Sequence, residues 1–216
     1  MPLRDGDAIP WLPYRDYITS LILEDSVTNI VPAAFNYCTK LDNVYISENL
    51  TEIGASSFVN TGKLIGMRFP SGVTEIPAYC FESSAITADT LEIPSNIATI
   101  NFYAFRYCDN IKHLVLPESI TDLSGGQFTA MMGIEDVVFY GIQTLGGAFV
   151  ECPSLKWVYL PASIRSISLM EFYVRDYSSS FTDIYYAGTQ AQWNNVNKNF
   201  ILIHPTVHYS ASMPSA

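Results

Sequence analysis

The sequence predicts a repeat solenoid, mainly β, and three observations carry that prediction. Phenylalanine recurs at a near-constant interval: Phe35, Phe58, Phe81, Phe105, Phe128, Phe149 and Phe172 lie 23, 23, 24, 23, 21 and 23 residues apart. Fourteen residues ahead of most of them begins an apolar-x-apolar unit. Between unit and Phe stand two further apolar residues three apart, such as Val27/Ile30, Val73/Ile76 and Ile164/Ile167. Regular self-similarity at this period is the signature of stacked coils.

Each lap can be justified in order. The opening units are Leu21–Leu23, Val44–Ile46, Met67–Phe69, Leu91–Ile93, Leu114–Leu116, Val137–Phe139 and Val158–Leu160, with an eighth at Ile184–Tyr186. Alternation at period two predicts a short strand whose first and third side chains point inward and whose middle one points outward. Pro70, Pro94, Pro117 and Pro161 follow the third residue directly and end the strand by withholding an N–H. The chain then turns, adds the second apolar pair, turns again near Gly, Pro or Ser, and delivers Phe to the interior. A lone coil buries too little to hold its shape, whereas stacking covers both of its faces.

The spelling of the laps, "IKHLVLPESITDL" and "ATINFYAFRYC" in particular, resembles the BspA-like leucine-rich repeat family over residues 18–175. The ends "IPWLPYRDYITSLILED" and "IYYAGTQAQWNNV" resemble the segments that enter and close such arrays. The resemblance implies a leucine-rich-repeat-like right-handed coil stack with a parallel sheet on one side. It also implies bacterial surface proteins, often adhesins, acting at the cell surface without enzymatic activity. On this reading residues 1–20 form an N-terminal cap and 21–183 seven coils. Residues 184–216 hold the last strand, the C-terminal cap and a tail, all in one continuous domain. Ser56-Ser57, "SGGQFTAMMG" and "FYVRDYSSSFTD" depart from the repeat and mark irregular coils.

Composition narrows the partners. The 216 residues are 49 % hydrophobic and 15 % charged, with 21 acidic against 11 basic side chains and a net charge of −10. That balance argues against nucleic acid and against electrostatic attachment to anionic lipid. No apolar run reaches the length of a membrane span, and "MPLRDGDAIPWLPYRDY" lacks the basic head and apolar stretch of a signal peptide.

Reactive groups offer little chemistry. Cys38, Cys108 and Cys152 each follow the repeat Phe by three residues, and Cys80 precedes one. At about 4.8 Å per coil the repeat-position cysteines stand too far apart for a disulfide, so buried free thiols are expected. His204 and His208 lie four apart in "ILIHPTVHY", which reads as strand closing the last coil, roughly 13 Å between them and too far for one metal ion. No cofactor, metal site or catalytic grouping is implied, so the expected protein is not an enzyme.

The outward strand positions are the informative ones. The middle residues run Ile22, Tyr45, Arg68, Glu92, Val115, Val138, Tyr159 and Tyr185; the residues before the strands include His113, Asp136 and Trp157. Six of those eight middle residues are apolar or aromatic where water is expected. Two readings stay open: side-chain ladders that support the sheet, or a contact face anchored by aromatics. The candidate partner-binding residues are Tyr45, His113, Val115, Val138, Trp157, Tyr159 and Tyr185, for a protein or glycan ligand. The alternative is a structural spacer or assembly subunit, of a cell surface or a virion, whose face docks a partner copy.

Overall fold

In the computed structural model the described residues are 9–168, 170–175, 179–198 and 204–214. They wind into a parallel solenoid. The first coil contributes β1 (Ser20–Ile22) and β2 (Asn29–Ile30), the second β3 (Asn43–Tyr45) and β4 (Glu52–Ile53), the third only β5 (Glu75–Ile76). The pairs continue as β6 (Thr90–Glu92) and β7 (Thr99–Ile100), then β8 (His113–Leu116) and β9 (Asp122–Leu123), then β10 (Asp136–Phe139) and β11 (Thr144–Leu145). They end with β12 (Trp157–Leu160) and β13 (Ser166–Ile167), β14 (Asp183–Tyr186) and β15 (Asn197–Lys198), and β16 (Thr206–Tyr209).

The first strand of each coil builds one face. Six of them, β6, β8, β10, β12, β14 and β16, form one sheet, and β1–β3 a separate pair. Alternation holds as expected: Leu114 and Leu116 are buried, as are Val158 and Leu160 and then Ile184 and Tyr186, while their neighbours reach outward. The second apolar pair does more than turn. Its residues form a second set of short parallel ladders, β2–β4, β5–β7 and β9–β11–β13–β15.

At the far bend the Phe rings stack in a column. Trp11 lies on Phe35, and the pairs Phe35–Phe58, Phe58–Phe81, Phe81–Phe105, Phe105–Phe128 and Phe128–Phe149 have centroids 5.1–5.6 Å apart and planes within 19°. Phe172 is interior too, but stacks on Phe181. The residues two before and two after the first six Phe take positive φ: Ala33 and Tyr37, Ser56 and Asn60, Tyr79 and Ser83, Tyr103 and Tyr107, Gly126 and Ala130, Gly147 and Glu151; in the seventh coil Phe172 itself does. For residues with a Cβ that conformation costs about 1–2 kcal/mol. It persists because it aims N–H groups along the stack, as in Ala33 N–H to Ala55 O, Phe35 N–H to Ser57 O and Tyr37 N–H to Val59 O at 2.7–2.9 Å.

The third coil departs from expectation: Met67–Phe69 forms no strand. Ile65 bridges Asn43, where the repeat would bring Gly66 one residue later, and accepts from Val44 N–H at 2.8 Å. Gly66 then turns away at φ +87, where a Cβ would meet the Val44 carbonyl at 2.6 Å. The guanidinium of Arg68 donates to the Ile46 carbonyl at 2.6 and 3.1 Å, taking the place of a strand N–H. The main sheet is therefore divided here.

The irregular bends are internally satisfied. Ser57 Oγ donates to Gly54 O at 2.5 Å, and Gln127 Nε2 donates to Ile100 O at 3.1 Å. All four cysteines are free and buried. Cys108 Sγ donates to Phe81 O and Cys152 Sγ to Phe128 O, and burial pushes both thiols up to about 12. The Asp176–Ser178 part of the seventh irregularity lies outside the described residues. The C-terminal cap is helix α1 (Gln190–Asn194), opened by a capping box between Thr189 and Gln192, with buried Trp193 packed 5.0 Å from Tyr186.

Candidate partner-binding face

Parallel pairing lines up the outward residues of the six-stranded sheet in two rows. The first is Thr90–His113–Asp136–Trp157–Asp183–Thr206; the second is Glu92–Val115–Val138–Tyr159–Tyr185–His208. His113, Val115, Val138, Trp157, Tyr159 and Tyr185 are thereby gathered on one surface. Tyr45 is not among them. It sits on β3, across the interruption made by the third coil, in register with Ile22 and capped by Arg68 5.7 Å from its ring centre. Val138 is also corrected: it is 5 % exposed, a short side chain flanked by Val115 and Tyr159, and offers almost no contact surface.

The C-terminal half of the face is aromatic and held in place from within. Trp157 meets Tyr185 edge-on at 5.7 Å, and Tyr185 stacks on His208 at 4.6 Å with planes 11° apart. Offset and edge contacts of this kind are worth about 0.5–1.5 kcal/mol beyond area, and they fix the rings before any partner arrives.

Two carboxylate–imidazole pairs bracket Trp157. Asp136 Oδ2 lies 2.7 Å from His113 Nδ1, and Asp183 Oδ1 lies 2.7 Å from His208 Nε2. The hydrogen bond from His208, with a second from Thr182, holds the Asp183 carboxyl below its ordinary range. Beside the first row, Lys112–Asp89 and Lys156–Glu135 ion pairs close the polar margin.

His208, Asp136 and Asp183 were not among the expected site residues. The signal for His208 was present in the repeat itself: Thr206 follows Asp183, and His208 follows Tyr185, by 23 residues. Within "ILIHPTVHY", Thr206–Tyr209 thus supplies a further strand of the face.

A leucine-rich repeat protein from Bacteroides ovatus superposes with a TM-score of 0.67 at 20 % identity, covering 85 % of this chain and 51 % of that one. A leucine rich cell surface protein from Faecalibacterium prausnitzii gives a TM-score of 0.43 at 20 % identity, over 82 % of this chain and 62 % of that one. The chain thus spans about half the length of the Bacteroides ovatus protein. No curated protein sequence matches it. The BspA type leucine rich repeat region matches in six copies over residues 14–88 and 75–190. That family points to a binding or surface role, and its repeats and solenoid fold are typically non-catalytic. With the parallel coils, the Phe column and the repeated strand rows agreeing, the chain belongs to the BspA-type leucine-rich repeat family.

Proposed function

We propose that this chain is a non-catalytic, adhesin-type surface module that holds a protein or glycan ligand on the six-stranded sheet face. The observation that carries the reading is the in-register cluster of Trp157, Tyr159, Tyr185 and His208, bracketed by two Asp–His pairs. Aromatic anchors in a pre-organised setting dominate binding energy at contact surfaces, and pre-stacked rings lose little freedom on binding. Replacing Trp157 and Tyr159 together by Ala should weaken capture of a host-cell surface ligand by about 30-fold, the effect of losing about 2 kcal/mol at a hot spot. The mass in light scattering should stay unchanged. Undiminished capture by a folded variant would reject the reading.

A second reading, an assembly subunit docking a partner copy, is favoured by one observation at the other end. Ile22 and Tyr45 are 71 % and 56 % exposed side by side on β1 and β3. A drop in mass on changing Ile22 and Tyr45 to Ser would support assembly.

A further inference from the structure

The bends, away from the sheet face, contain one coil that breaks the pattern of side-chain size. Three residues before the bend Phe the coils carry Pro32, Ala55, Ala78, Phe102, Gly125 and Gly146; two before it they carry Ala33, Ser56, Tyr79, Tyr103, Gly126 and Gly147. The fourth coil alone places two aromatic rings there, and the next two coils follow with nothing but glycine. Phe102 remains 45 % exposed. Gly125 and Gly126 seat those rings, since a Cβ at either would meet Phe102 Cβ at 2.9 Å or Tyr103 Cε1 at 2.6 Å. Gly147 faces space: its Cβ would meet only Val150 Cγ2, at 3.7 Å.

The result is an open trough of about 530 Å³, walled by Phe102 and Tyr103 and bordered by Ser124, Thr129 and Val150. Its polar groups are partly uncommitted. Tyr103 N–H continues the bend ladder to Gly125 O at 3.3 Å. Among the described residues the next rung, from Gly126 N–H to Gly146 O, is not formed, and the Thr129 hydroxyl has no hydrogen bond. No residue lining the trough is charged, although Arg106 stacks over the Tyr103 ring 4.8 Å from its centre and the Ser124 hydroxyl donates to Asp122 at 2.7 Å.

We propose that this trough is a second binding site, and that its ligand is a neutral saccharide. An aromatic wall accepts the C–H face of a pyranose ring, while the free amide and hydroxyl meet its hydroxyl groups. The lining itself gives a cation no carboxylate, and the nearest base, Arg106 over Tyr103, is already paired with Glu82 at 3.3 Å, which favours a neutral ligand. The volume falls within the range of small-ligand sites, roughly 300–1,000 Å³, and two coils span about 10 Å, the length of a short oligosaccharide. The site is independent of the sheet face.

The test is titration of the ¹⁵N-labelled chain with cellotriose, maltotriose and triacetylchitotriose, followed by amide chemical shifts. At least one triose should shift the amides of Gly125, Gly126, Gly147 and Thr129 saturably by about 10 mM. Phe102→Ala, a change at an exposed position, should weaken that binding about tenfold or more and leave distant amides in place. Trp157→Ala with Tyr159→Ala should leave it intact. The proposal is overturned if no triose shifts these amides by that concentration. It is equally overturned if Phe102→Ala binds as well as the parent, or if the shifts fall on the sheet face and vanish with Trp157→Ala/Tyr159→Ala.

Discussion

Glu171 occupies the position just before the bend Phe, where the preceding coils carry Ser57, Cys80, Ala104, Gln127 and Ala148. In those coils the backbone carbonyl at this position accepts the N–H of the previous Phe. At Glu171 the side chain does so: its carboxylate takes the N–H groups of Gly147, Ala148 and Phe149. The group is fully buried, and burial pushes its carboxyl up to about 7 against the opposing pull of those three donors. A folded-state value above the ordinary 4.5 means that the native chain holds this proton longer than the unfolded chain does. Its contribution to stability is therefore fully present below pH 4.5 and is lost as the pH rises to about 7. Urea denaturation across that window should show the decline, and Glu171→Gln should flatten it. Glu171→Ala should cost at least about 2 kcal/mol, because the buried N–H groups of Ala148 and Phe149 lose their acceptor at about 1–3 kcal/mol each. The thiols make a simpler case. With Cys80, Cys108 and Cys152 buried and their ionisation suppressed, a thiol reagent should label the native chain slowly and the urea-unfolded chain at once.

At the scale of elements, the third coil is the weak joint. Its first strand is replaced by one bridge, a glycine turn and the Arg68 side chain, which also pairs with Glu48. Arg68→Ala should leave the Ile46 carbonyl without a donor and cost about 1–2 kcal/mol. Hydrogen exchange should then quicken in β1 and β3 while β8, β10 and β12 stay protected. Equal loss of protection in all of these strands would show that the division of the sheet carries no energetic consequence. The Phe column is stronger. Phe105 is fully buried between Phe81 and Phe128, whereas Phe35 has Trp11 on one side and retains 7 % exposure. Phe105→Ala should cost about 3–5 kcal/mol and Phe35→Ala less, measured as shifts in the urea midpoint.

For the whole molecule, each coil touches chiefly its neighbours, so stability is close to a sum of coil and interface contributions. The interior is one continuous apolar cluster from Leu23 to Val196, which couples the coils through shared side chains. The rod presents two unlike surfaces. The sheet side carries the aromatic and Asp–His rows, while the bends carry backbone rungs, tyrosines and the uncharged trough. A partner on one side leaves the other free, which is why the two binding tests use separate variants.

Much of this was readable before folding. The period, the inward residues of each strand, the Phe column and the free cysteines all follow from side-chain alternation and repeat length, which are local properties of the chain. The gathering of His113, Val115, Trp157, Tyr159 and Tyr185 on one face followed from the same periodicity. Other features depended on what stands one coil away, about 23 residues along the chain. Met67–Phe69 has the right alternation, yet Gly66 and the Ile65 bridge deny it a partner and set Tyr45 apart. The second apolar pairs became strands only because neighbouring pairs lay alongside to share hydrogen bonds. The Asp–His pairs, the covering of Val138 and the reach of Glu171 arise from contacts between coils. Sequence by itself determined the coil, since alternation and spacing act within one lap. The tertiary structure alone decided the register between laps, because hydrogen bonds and side-chain pairs exist only once two coils meet.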